Sequence, residues 1–202
     1  MSITLVIIGL LVGGVVAGRS LVHSVKRNQL ISEIEKLRVV TASFQEKYDY
    51  LPSDLPNAYD YWGGACPSVE SCNGDGDGIA NPYRFTLQLF LAKLIPEGVY
   101  GTYYKMNYSA NACARFLYST LHGGSSNSFS FATFANCQSG PSNVISSQDA
   151  FAIDKKIDDG TAGGGRVRAN QSGMGICKGT GTPFPYVPNS EVIGCRMEFF
   201  YD

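Results

Sequence analysis

A chain of 202 residues with 44% hydrophobic content has room for one domain plus an appendage, and enough apolar surface for a real core. Its 16 Lys and Arg against 17 Asp and Glu leave a net charge of −1, so no overall basic field exists to draw nucleic acid, and no nucleic-acid partner is predicted. The 23 glycines, with frequent Ser, Asn and Tyr, describe a loop-rich chain of an extracellular sort.

The chain opens with "MSITLVIIGLLVGGVVAGRS", in which Met1 to Gly18 carry no charge and Arg19 is the first ionisable side chain. A signal peptide has a basic start and a small-residue cleavage site, and neither is evident here. The stretch runs on without Pro or Gly from Arg19 to Tyr50, and Leu30, Ile34, Leu37, Thr41, Phe44 and Tyr48 recur at spacings of three and four. That is one face of a helix. The pattern predicts a helical unit over residues 1–50 whose first half crosses a membrane, with a globular domain over 51–202. The helical stretch is about 70 Å long at 1.5 Å per residue. Pro52 and Pro56 end it. Within it, Gly9, Gly13, Gly14 and Gly18 supply two G-x-x-x-G spacings, which let helix backbones approach closely, although glycine is common in membrane spans generally. Eighteen apolar residues make about 27 Å of helix, marginal for a hydrocarbon layer of about 30 Å. Arg19, Lys26 and Arg27 on the C-terminal flank would by themselves place the domain in the cytoplasm.

The six cysteines argue the other way. Cys66, Cys72, Cys113, Cys137, Cys177 and Cys195 are an even set without a C-x-x-C, which favours disulfides in an oxidising compartment over zinc. Fifteen pairings are possible; neighbours in sequence suggest Cys66 with Cys72, Cys113 with Cys137 and Cys177 with Cys195.

Further along, "CNGDGDGIA" alternates oxygen donors with glycines. Asn73, Asp75, Asp77 and a backbone carbonyl near Ile79 resemble a calcium loop. A full EF-hand fails, because the twelfth position from Asn73 is Arg84 instead of Glu. Two readings stand: a smaller calcium loop completed by Glu70 or a distant carboxylate, or a turn tightened by a Cys66–Cys72 bridge. Helices are predicted over Arg84–Leu94, Asn111–Ser119 and Ser147–Ile157, the last capped by Ser146 or Ser147. Strands are predicted from Phe129, over Arg166–Ala169 and over Val192–Tyr201, the last apolar enough to be central. Asp154, Asp158 and Asp159 form a second acidic group, read as structural, either capping backbone groups or in an ion pair with Lys155, Lys156 or Arg166; the other reading is a metal site. Tyr103, Tyr104 and Tyr108 read as sheet packing, and His122 as a solvated loop residue. No G-x-S-x-G, P-loop or H-E-x-x-H occurs, and the chain is read as no enzyme.

The opening "SITLVIIGLLVGGVVAGRSLV" strongly resembles the N-terminal helix of type IV pilins and type II secretion pseudopilins. In patches the rest follows: "FQEKYDYLPSDLPNAYDYWG" resembles the K-Y-x-x-L-P-G-D-x-P-N-A and W-G exit of a subgroup of pilin-like proteins. "NGDGDGIANPYRFTLQLFLAKLIPEGVY" and "FAIDKKIDDGTAGGGRVRA" resemble later segments of the same subgroup. The resemblance implies an α+β fold in which the long helix packs on a small antiparallel sheet. It implies a structural filament subunit, held in a bacterial inner membrane as a single-pass protein with its domain extracytoplasmic, then assembled into a pilus or pseudopilus. The implied partners are other pilin or pseudopilin subunits, the inner-membrane assembly platform and, for a full-length precursor, the prepilin peptidase. Family members carry a basic leader and a G-F-x-L-I-E stretch; Met1 falls just after the position of that glutamate, so the native chain is expected to begin earlier. Ala17 stands where many major pilins have proline, which points to a minor pilin or a pseudopilin. The alternative is a signal-anchored periplasmic binding domain that never polymerises.

Overall fold

The computed structural model describes residues 2–96, 103–106, 112–119, 126–133, 145–171, 177–181, 184–187 and 193–201. Helix α1 runs unbroken over Ser2–Tyr48. Its C-terminal half is amphipathic: Leu30, Ile34, Leu37, Thr41, Phe44 and Tyr48 are all buried, as their spacing predicts. The helix stops where Asp49 turns left-handed at φ 62°, its N–H donating to the Gln45 carbonyl at 2.8 Å. Phe44 and Tyr48 then meet the aromatic helix α2 (Ala58–Trp62), with ring centroids 5.5 Å apart for Tyr48 and Trp62.

Helix α3 (Val69–Cys72) carries a capping box between Ser68 and Ser71. Helix α4 covers Pro82–Leu91, two residues earlier at its start and three at its end than the apolar pattern suggests. The Asn81 side chain caps its N-terminus, with Pro82 in the first turn. Lys93 at φ 61° closes it: Leu94 N–H donates to the Leu89 carbonyl and Lys93 N–H to the Phe90 carbonyl, both at 2.9 Å. Those paired bonds form a Schellman motif without the usual glycine.

The sheet is antiparallel throughout and comprises β1 (Tyr104–Lys105), β2 (Ala112–Ser119), β3 (Ser126–Thr133), β4 (Ile145–Ser146), β5 (Val167–Gln171) and β6 (Ile193–Phe200). Its order is β1-β2-β3-β6-β4, with β5 also paired to β6. β6 is the central strand and is buried on both faces from Met197 to Phe200. One expectation is corrected here. Residues 112–119 form a strand and not a helix, in full register with β3 from Ala112↔Thr133 to Ser119↔Ser126. The pairing places Phe116 against Phe129 at 4.7 Å and Phe85 of α4 at 4.4 Å, and this burial overrides the helix propensity of Ala and Leu.

Helix α5 spans Ser147–Ile157 with the Ser146 side chain capping Asp149 N–H at 3.1 Å. It packs against α1 and β6. One hydrophobic cluster joins the buried face of α1 to Phe116, Phe129, Phe131, Met197 and Phe199 of the sheet. Disulfides link Cys66 to Cys72 and Cys177 to Cys195. Cys113 is also disulfide-bonded; Cys137, Tyr108 and His122 lie outside the described residues. Tyr104 is buried in the sheet edge, and Tyr103 lies against the Arg115 guanidinium at 5.8 Å.

Candidate functional site

Three regions carry the features singled out by the sequence. The first is the N-terminal half of α1. Every side chain from Ile3 to His23 is exposed, including Ile3, Leu5, Leu10 and Leu11. Between Ile3 and Tyr48 the helix is long and apolar enough to cross a membrane, by length and composition. A Cβ added at Gly9, Gly13, Gly14 or Gly18 would meet nothing within 4 Å, so all four glycines face open space. The exposed half leaves the domain at a polar junction. Arg27 Nη1 lies 3.2 Å from Asp149 Oδ1, and His23 Nδ1 lies 3.2 Å from Asp149 Oδ2. Lys156 Nζ donates to Asn28 Oδ1 at 2.7 Å. These bonds tie α5 to α1 where the apolar run ends, so the angle at which the helix leaves the domain is set by packing and charge together.

The second region is the loop between α3 and α4. It folds back on the chain that leaves α1. Gly74 N–H donates to the Leu55 carbonyl at 2.7 Å and Gly76 N–H to the Asp54 carbonyl at 3.1 Å. A Cβ on Gly74 would overlap the Asp54 backbone, so only glycine permits this approach. Asn127 of β3 clamps the far side: its Nδ2 donates to the Gly78 carbonyl at 2.9 Å and its Oδ1 accepts from Ala80 N–H at 2.7 Å.

The result is a group of three carboxylates, Asp54, Asp75 and Asp77, each offering an oxygen within 4.8 Å of the others. Asp75 and Asp77 are exposed, while Asp54 is 3% exposed. Burial, with the charges of Asp77 and Asp75 adding to it, pushes the Asp54 carboxyl above its ordinary pKa, against the lowering effect of the Gly78 N–H, which donates to it, and of the nearby Gly76 N–H, which donates to the Asp54 carbonyl. The other residues of the sequence motif do different work. Asn73 Oδ1 accepts from Tyr59 N–H at 2.7 Å and so holds α2. Ile79 N–H donates to Asp77 Oδ1 at 2.7 Å, which shapes the loop. Arg84 Nη2 donates to the Glu70 carbonyl at 2.9 Å. Glu70 is not among the grouped carboxylates; Asp54, some twenty residues upstream, is.

The second acidic group is built differently. Asp154 is fully buried: its Oδ1 accepts from Gly160 N–H at 2.9 Å and its Oδ2 from the Tyr186 hydroxyl at 2.7 Å. Asp158 Oδ2 accepts from Val167 N–H at 2.7 Å, and Asp159 Oδ1 from Thr161 N–H at 2.7 Å. Lys155, Lys156 and Arg166 make no ion pair with these aspartates among the described residues; the aspartates instead accept from backbone amides and a tyrosine, the capping form of the structural role. Burial raises the Asp154 carboxyl to about 7 and holds the Tyr186 phenol protonated.

What the fold and these regions define is an α+β protein with one candidate membrane-crossing helix continuous with its core, and a disulfide-bonded domain. No family model, curated protein or solved structure matches the chain.

Proposed function

We propose that this chain is a structural subunit of a membrane-derived filament, of the kind formed by type IV pilins and type II secretion pseudopilins, and that it acts by assembly and not by catalysis. The observation that carries the reading is the two-part helix α1: an exposed apolar half over residues 3–23, continuous with a half whose buried face is part of the domain core. Apolar side chains at this density have a large free-energy gain from leaving water. A bilayer supplies that environment before assembly, and neighbouring helices supply it in a filament. The open faces at Gly9, Gly13, Gly14 and Gly18 suit close helix approach. The disulfides suit an extracytoplasmic domain.

The test is made in the native host. Membranes and a mechanically sheared surface fraction are collected, and the protein in each is identified by mass spectrometry of its N-terminal peptide. A filament subunit appears in the sheared fraction in high-mass assemblies, and an inserted cysteine at Gly14 crosslinks copies to one another. Protein confined to the membrane as a monomer, with no crosslink, overturns the reading in favour of an anchored domain that does not polymerise.

A further inference from the structure

Acidic residues cluster on many surfaces without a ligand, so the proximity of Asp54, Asp75 and Asp77 is not by itself a site. Asp54 adds an independent fact. Its Oδ2 accepts from Gly78 N–H at 3.0 Å, but its Oδ1 is buried and has no hydrogen-bond partner among the described residues. A buried carboxylate oxygen without a donor is unfavourable and calls for an explanation. Among the described residues no Lys, Arg or His forms an ion pair with any of the three aspartates. The contrast with Asp154 is direct: there both oxygens are hydrogen-bonded, and burial leaves no orphan atom.

We propose that Asp54, Asp75 and Asp77 bind a divalent cation of the calcium class. The donors are hard oxygens only, with neither His nor Cys in the group, which disfavours zinc and the later transition metals. The carboxylates come from two separate chain segments, and two of them sit on an exposed loop bent by Gly76 at φ 75° and Gly78 at φ 80°. Calcium accepts six to eight oxygens in irregular geometry, whereas magnesium demands a near-ideal octahedron and keeps its waters. The exposed side of Asp75 and Asp77 gives the ion an entry path and room for water ligands. Bound there, the cation would link the exit of α1 to the entry of α4, and would supply the partner that Asp54 Oδ1 lacks.

The test uses the full chain in nonionic detergent, stripped with a chelator and titrated with calcium chloride. Binding is expected with a Kd in or below the range of about 10⁻⁴ to 10⁻³ M found for extracellular calcium modules. At calcium 100 times Kd the folded-to-unfolded ratio should rise about 100-fold, read as a higher unfolding temperature. Magnesium at the same concentration should give a smaller rise. Asp75→Asn is the informative variant: Asp75 is exposed and its side chain makes no hydrogen bond among the described residues, so the substitution leaves the fold in place, and the calcium affinity should fall at least tenfold. Asp159→Asn, in the other acidic group, should leave the affinity unchanged. An absence of calcium-dependent stabilisation up to about 10 mM, or a shift that Asp75→Asn leaves intact, overturns the proposal.

Discussion

Asp154 offers the sharpest test of the packing. It lies on α5, fully buried, and it tethers the loop between Cys177 and Cys195 through the Tyr186 hydroxyl. Burial is the main cause of its raised pKa of about 7, with Asp159 and Asp158 adding to it against the hydrogen bonds from Tyr186 and Gly160. In the unfolded chain an aspartate titrates near 4. Between about pH 4 and pH 7 the native protein therefore holds a proton that the unfolded chain has released. The native state is favoured at low pH, and this contribution is lost as pH rises to about 7. The whole interval corresponds to on the order of 4 kcal/mol, and the part between pH 5 and pH 8 to about 3 kcal/mol.

Asp154→Asn removes the titration while keeping the shape. The amide oxygen can still accept from Gly160 N–H, and the amide nitrogen can donate to the Tyr186 oxygen. Thermal unfolding of both proteins is followed by circular dichroism in detergent, from pH 5 to pH 8. The difference in Tm, variant minus parent, should grow more positive by about 5–10 °C across that range, using about 2–4 °C per kcal/mol for a protein of this size. Other carboxylates cancel in the difference. A difference that stays flat with pH would refute the assignment of a buried, proton-holding Asp154.

Three further outcomes follow from the packing. Thr41 is fully buried on α1 and its hydroxyl has no partner among the described residues; Thr41→Val should stabilise the protein by about 1–2 kcal/mol in urea unfolding, because an orphan polar group is removed at nearly constant shape. Ser146→Ala deletes the cap of α5 and should cost about 1 kcal/mol by the same assay. Gly74→Ala drives a methyl group into the Asp54 backbone and should cost about 1–3 kcal/mol; a neutral result would mean that the loop does not dock on residues 54–55.

Elements whose causes are local are legible in the sequence. The buried face of α1 follows from spacing alone, and α5 follows from a capping serine and an apolar stripe. The Cys66–Cys72 and Cys177–Cys195 bridges join neighbours in sequence. Where the cause is remote, reading failed or stopped short. "ACARFLYS" carries helix formers, and only its pairing with β3 makes it a strand. Tyr186 lies 32 residues from Asp154, so nothing near the aspartates announces it as their partner. Asp54 joins Asp75 and Asp77 only because Gly74 lets two chain segments touch; the sequence hint was the acidic loop's want of another carboxylate.

The central place of β6 bears on how the chain is made. Its partners β3, β4 and β5 all precede it, and each lies along one of its edges. A ribosome delivers them first. Until residues 193–200 follow, only the β1-β2-β3 side of the sheet can pair, while β4 and β5 have no strand to dock on. Phe129 can already meet Phe85 and Phe116, but β3 lacks its β6 neighbours Met197 and Phe199 for the same interval. Cooperative closure of the sheet thus waits for β6, the strand that joins its two sides. The Cys177–Cys195 bridge closes with the same strand, 18 residues after its first cysteine is made.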